Sequence, residues 1–138
     1  MKGEVAENHI SKLRPDLVRT YNKGQILDPA EKDTQDYVTK VVLDVVKRYD
    51  IDGVHFDDYF YPYKDANQAE FPDDETYKKY KAAGGKLGRD DWRRKNVDDF
   101  IQNVSLEIKK LKPEVMFGIS PFGIWKPNDI DIKGTSAY

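Results

Sequence analysis

Asp50-Ile51-Asp52-Gly53-Val54-His55-Phe56-Asp57-Asp58-Tyr59-Phe60-Tyr61-Pro62-Tyr63 reads as a short buried strand running into two adjacent carboxylates and a cluster of aromatic rings. Alternate side chains of a strand face opposite ways, so His55 and Asp57 share one face while Val54 and Phe56 share the other. One face therefore carries an imidazole and an acid, and the other carries packing residues. Asp58, adjacent to Asp57, projects away from it.

Upstream, Val38, Val41, Val42, Val45 and Tyr49 recur at helical spacing, which predicts a helix over about 31–49 with these residues as its apolar stripe. Valine is a modest helix former, so this helix depends on tertiary burial. Asp28 is a candidate cap, with Pro29 at the first helical position. Further upstream, Leu17 to Tyr21 reads as a short strand, and Asn22-Lys23-Gly24 as a turn. Downstream, the polar stretch from Lys64 to Arg89 is long for a plain connector, with a short helix expected from about Asp74 to Lys81. A second long helix, Asp90 to Lys112, presents Val97, Ile101, Val104, Ile108 and Leu111. Val115 to Ile119 then reads as a buried strand that leads into Ser120-Pro121-Phe122-Gly123-Ile124-Trp125.

Composition narrows the function classes. The 138 residues suit one domain, and a formal net charge of -2 gives no electrostatic footprint for nucleic acid. No apolar run is long enough to span a bilayer, and the first eight residues lack the apolar stretch of a signal peptide. The absence of cysteine removes thiol chemistry and Cys-ligated metal sites.

Alternating strands and helices predict an α/β fold with a parallel sheet of at most three strands. Such a sheet keeps open edges and a bare face, so the segment reads as part of a larger fold. If it is the whole folded molecule, self-association through the open sheet edges is expected.

Three blocks now carry a family resemblance: Tyr49 to Pro62, Asp91-Trp92-Arg93-Arg94-Lys95-Asn96-Val97, and Phe117 to Trp125. In order and spacing they resemble the glycosyl hydrolase-like 10 family, (β/α)8 TIM-barrel proteins related to bacterial lipoproteins that act on peptidoglycan glycan strands. The family's Asn-Pro-Gly turn reads Asp28-Pro29-Ala30 here. The resemblance implies that residues 1–138 are a fragment of that barrel domain, about strands three to five. It also implies an extracytoplasmic setting, a carbohydrate partner and no cofactor.

On that resemblance Gly53, His55 and Asp57 point into the barrel, and Asp57 is the candidate nucleophile or general base. Asp58 is its catalytic companion as loop support, cap or ion-pair partner. Both acids read alternatively as solvated strand-end residues. Hydrolysis of a glycoside needs a second carboxyl group. The next strand ends Gly118-Ile119-Ser120-Pro121 without one, so the proton donor falls on Asp73, Asp74 or Glu75, or outside the chain, which is the favoured reading. Tyr59, Tyr61, Tyr63 and Trp125 suit sugar stacking or core packing equally, while Phe60 and Phe122 suit packing. His55 and Ser120 complete the substrate-binding set, though a lone histidine is more commonly a satisfied core residue. Trp92, Arg93 and Arg94 are expected to anchor the second long helix to the loop.

The expected function is glycoside hydrolysis by the longer protein, this piece being inactive alone. A non-catalytic glycan-binding remnant is the alternative. A metal-dependent hydrolase using His55, Asp57 and Asp58 is weaker, because no HxH or HExxH spacing supports a metal site.

Overall fold

The computed structural model describes residues 5–64 and 69–121. The segment with Phe122 and Trp125 lies outside the described residues. In chain order the elements are α1 (Ile10–Leu13), a 3-10 turn (Pro15–Leu17), β1 (Val18–Tyr21), β2 (Gly24–Leu27), α2 (Lys32–Arg48), β3 (Gly53–Phe56), α3 (Asp74–Ala82), α4 (Arg89–Leu111) and β4 (Met116–Ile119). The content is α/β, as the alternation of periods predicts.

The expected parallel sheet of up to three strands forms only in part. β3 and β4 pair in parallel, with His55 opposite Gly118 and Phe56 opposite Ile119. β1 instead pairs with β2, antiparallel, in a separate two-stranded sheet. The cause is local: Asn22 and Lys23 both take positive φ, 48° and 63°, the conformation of a two-residue hairpin turn. That turn sends the chain straight back on β1.

The core lies on one face of the β3–β4 pair. Val46 of α2, Val104 and Ile108 of α4, and Val115 are almost fully buried, with Val54, Phe56 and Phe117 packed against them. Each such side chain contributes on the order of 1.5–3 kcal/mol of gross burial energy. The buried stripe of α2 is turned from the expected one. Val42, Leu43 and Val46 face the core, whereas Val41, Val45 and Tyr49 are 48%, 40% and 58% exposed. Valines at 38, 41, 42, 45 and 46 permit two adjacent faces, so periodicity alone left the choice open. Helix α2 begins at Lys32, so Pro29 stands before it rather than at its first position.

A second, smaller core joins the hairpin to the excursion between β3 and α4. Tyr21, Tyr61 and Phe71 are buried together, each tyrosine ring meeting Phe71 edge-on. Tyr21 Oη donates to the Ala69 carbonyl at 2.6 Å. Helix α3 closes through Gly84, whose φ of 90° suits glycine at a helix C-terminus. Tyr77, Tyr80 and Trp92 then pack α3 onto the start of α4.

Candidate functional site

The β3–β4 pair separates packing from chemistry. Val54 and Phe56 turn to the helices, and Phe56 stacks on Phe100 with centroids 6.2 Å apart. Gly53, His55 and Asp57 are exposed. Strand parity places Asp57 on the His55 face, away from α2 and α4. The backbone pairing sharpens this. Met116 N–H donates to the Asp52 carbonyl at 2.9 Å, and Ser120 N–H to the Phe56 carbonyl at 3.0 Å. The peptide groups of residues 52, 54 and 56 therefore point at β4, and those of 53, 55 and 57 point to the opposite edge.

A cleft of about 480 Å³ is bordered by Leu27, Val38, Phe100, His55, Asp57 and Tyr59. Its walls are chiefly apolar and come largely from the hairpin, α2 and α4, and it reaches residues His55 and Asp57 at the end of β3. Thr34 also lines it, and the buried Thr34 hydroxyl has no hydrogen-bond partner among the described residues. A polar group entering the cleft could satisfy that hydroxyl.

The predicted residues fall into distinct settings. Asp57 Oδ1 accepts from the Asp58 N–H at 3.0 Å, a bond that restrains its carboxylate. Asp58 is half-buried and accepts from the Tyr63 hydroxyl, so it ties the loop together. Tyr59 is 74% exposed and meets the Tyr63 ring edge-on at 6.3 Å. His55 Nε2 lies 2.8 Å from Ser120 Oγ, joining the two strands. Tyr61 departs from the expected sugar platform. It is only 4% exposed, in the Tyr21–Phe71 cluster, and burial pushes its phenol above the ordinary tyrosine range. In a regular strand residues 59 and 61 would share a face, so the split comes from the non-strand backbone of the Asp57–Tyr63 segment, which turns Tyr59 to solvent and Tyr61 inward.

Of the three loop acids, Asp73 and Asp74 are occupied elsewhere, and Glu75 is exposed in the first turn of α3. Asp73 is completely buried, accepts two hydrogen bonds from Arg93 at 2.7 and 2.9 Å, and takes a third from Arg89 at 3.0 Å. Both of its carboxylate oxygens are held by arginine donors, a commitment that suits a structural anchor rather than a proton donor. Asp74 pairs with Arg89 at 2.6 Å. Arg93 thus anchors α4 to the excursion, as expected from the sequence. Burial works against its charge, but Asp73 and Glu70 hold its pKa above the usual guanidinium range.

One network was not legible in the sequence. Asp28, also completely buried, accepts from Thr76 Oγ1 at 2.6 Å and pairs with Arg19 at 2.9 Å. It accepts from the Ala30 N–H at 3.0 Å as well, a local turn rather than a helix cap. Asp28 and Thr76 are 48 residues apart, so no local pattern could join them. Among the described residues no three histidines or acids converge into a metal cage, and no helix is long and apolar enough to cross a membrane.

An exposed carboxylate beside a cleft, with an imidazole on its own face and tyrosines after it, can serve as nucleophile or general base toward a bound polyol. Comparison with known proteins identifies the family. A family model described as glycosyl hydrolase-like 10 matches residues 4–137. The chain is 43% identical over 135 residues to glycosyl hydrolase YngK of Bacillus subtilis, a match covering 97% of this chain and 26% of that protein. It is 43% identical over 128 residues to glycosyl hydrolase DigH of Escherichia coli O6:H1, covering 89% of this chain and 28% of that one. With DigH of Shigella flexneri the identity is 42% over 128 residues, again covering 89% of this chain and 28% of that one. The chain spans about a quarter of the length of these curated relatives.

Proposed function

The chain belongs to the glycosyl hydrolase-like 10 family, and on that footing we propose that it contributes the Asp57 half of a glycoside hydrolase site acting on cell-wall or related glycan. The observation that carries the reading is Asp57 itself. It is an exposed carboxylate at the end of β3, on the face that α2 and α4 leave bare, at the border of the cleft. Tyr59 and Tyr63 offer ring faces and a hydroxyl for sugar contacts, and His55 and Ser120 offer polar ones. Asp57 acts at the anomeric carbon or on a water, and Asp58 holds the loop through Tyr63.

We propose further that β3 and β4 are consecutive strands of a (β/α)8 barrel. Their parallel pairing across a helical crossover, with α2 and α4 packed on one face, supports this. The edge of β3 turned away from β4 is where another strand would pair. Flanking sequence in a longer protein would supply that strand and the second carboxylate. As an isolated polypeptide the chain self-associates through the same open edge and the exposed Tyr37, Val41, Val45 and Tyr49 of α2.

Replacement Asp57→Asn in the longer protein tests the assignment. Turnover of glycan strands, read as reducing-end release, is expected to be abolished while glycan binding is largely kept. Unchanged turnover removes Asp57 from the mechanism. A second reading, a non-catalytic glycan-binding remnant, is favoured by one observation: Asp58 and Asp73 are both committed to structural partners. Binding without release by the unsubstituted longer protein would establish it.

A further inference from the structure

His55 stands in the strand ladder directly opposite Gly118, and Ser120 follows two residues later, just past the end of β4. In parallel neighbours, paired residues share a face, so any side chain at 118 would stand beside the imidazole. A Cβ built at Gly118 would lie 3.2 Å from His55 Nδ1 and 3.9 Å from Cε1. Glycine at this position lets the ring lie across β4 and reach Ser120, where Nε2 and Oγ are 2.8 Å apart. Ser120 is itself fixed, because its N–H is the last rung of the ladder onto the Phe56 carbonyl at 3.0 Å.

We propose that Gly118 and Ser120 are positioning residues for His55, presenting a neutral ring protonated on Nδ1 as a hydrogen-bond donor to a sugar hydroxyl beside Asp57. The proposal rests on the glycan reading above for its ligand, but not for its geometry. A serine hydroxyl can donate into an unprotonated imidazole nitrogen, and in a neutral ring that leaves the proton on the other nitrogen. With the Ser120 hydroxyl donating to Nε2, the proton sits on Nδ1, which has no acceptor among the described residues. The ring then offers a fixed donor on the strand face of the Asp57 carboxylate, with no reorientation needed when a polyol arrives. Were Nε2 protonated instead, its hydrogen would be spent on Ser120.

Only two histidines, His9 and His55, occur in the chain, so the ring nitrogens can be read directly by nitrogen-15 NMR. At pH 8, above the ordinary imidazole range, the tautomers of neutral rings are distinguished by their nitrogen shifts. His9 serves as an internal reference. Its Nδ1 accepts from the Ser11 N–H at 3.2 Å, so its proton belongs on Nε2. The expected result is that His55 is the opposite tautomer, protonated on Nδ1. Ser120→Ala should shift it toward the Nε2-protonated form, and Ser120→Thr should retain the original. Gly118→Ala should crowd the ring at Nδ1, strain the Ser120 contact and move the tautomer in the same direction as Ser120→Ala.

In the longer protein, Ser120→Ala should weaken glycan binding about tenfold, the scale of one net hydrogen bond, with Ser120→Thr restoring it. A His55 ring protonated on Nε2 in the unsubstituted chain, a tautomer indifferent to Ser120→Ala, or undiminished glycan binding by that variant overturns the proposal. The glycan reading is tested separately by Asp57→Asn turnover, which involves neither Ser120 nor the His55 tautomer, so the two failures are distinguishable.

Discussion

Arg93 grips Asp73 with two parallel hydrogen bonds, Nε to Oδ2 at 2.7 Å and Nη2 to Oδ1 at 2.9 Å, with their side chains 2% and 0% exposed. The pair fastens the excursion after β3 to helix α4, and the guanidinium lies 5.7 Å from the centre of the Tyr61 ring. Removing one partner of a buried ion pair leaves the other charged and desolvated. Arg93→Met is therefore expected to destabilise the fold by about 3–5 kcal/mol. Arg93→Met combined with Asp73→Leu should lose less than the sum of the single changes. Urea unfolding midpoints for the two single variants and the double variant measure the coupling.

Glu70 gives the same clamp a pH dependence. Its pKa is lowered, first by Lys64 and then by Arg93, which donates to its carboxylate at 3.0 Å. A carboxyl group whose folded pKa lies below its unfolded one binds fewer protons in the folded state, so its contribution grows with pH. That contribution is complete above the unfolded value of about 4.3 and disappears as pH falls through the folded value. Its size is small, because the Glu70 side chain is 55% exposed and solvent screens the pair. The stability difference between the parent and Glu70→Gln should be present at pH 7, still present at pH 5, and shrink as pH falls further below the unfolded value. Urea midpoints at those pH values check the order.

The hairpin turn carries a residue that fits its backbone poorly. Asn22 tolerates its φ of 48°, but Lys23 at 63° bears the left-handed cost that a glycine would avoid. The preferred pair for such a turn is Asn-Gly. Lys23→Gly is expected to stabilise the hairpin by about 0.5–1 kcal/mol, less the entropy that glycine adds to the unfolded chain. Thermal unfolding should show a rise in Tm of a few degrees, with the β1–β2 amides exchanging more slowly.

The sequence made legible whatever depends on local periodicity, and the pairing of distant residues stayed hidden. Helix α4 and strands β3 and β4 appear close to where their apolar patterns put them. The parity that sets His55 and Asp57 against Val54 and Phe56 agrees with the exposure of the two pairs. The β1–β2 pairing was missed although Asn22-Lys23 marked a turn, because a turn signal does not say which strand returns on which. The buried face of α2 was missed because its valines populate two adjacent faces, and only the position of α4 decides between them. The roles of Asp28 and Asp73 were invisible for a third reason. A buried acid and a surface acid have the same letter, and their arginine partners Arg19 and Arg93 are fixed by tertiary structure.

The exposed side of α2 separates two accounts of what surrounds this chain. Tyr37, Val41, Val45 and Tyr49 recur every fourth residue and are all more than a third exposed. A row of this kind along one helix is costly to leave in water when a partner can cover it. In the isolated chain, Val41→Lys with Val45→Lys removes no described core contact, because Val42, Leu43 and Val46 supply the packing. The double variant should therefore unfold within about 0.5 kcal/mol of the parent under dilute conditions. It should also self-associate less, read as a lower mass by size-exclusion with light scattering. On the proposed barrel reading, the same row in a longer protein would lie against a neighbouring helix. There the two lysines would bury charge without partners and lower stability by several kcal/mol. A small effect in both settings would mean that nothing covers this face of α2, and the barrel reading would lose one of its expected contacts.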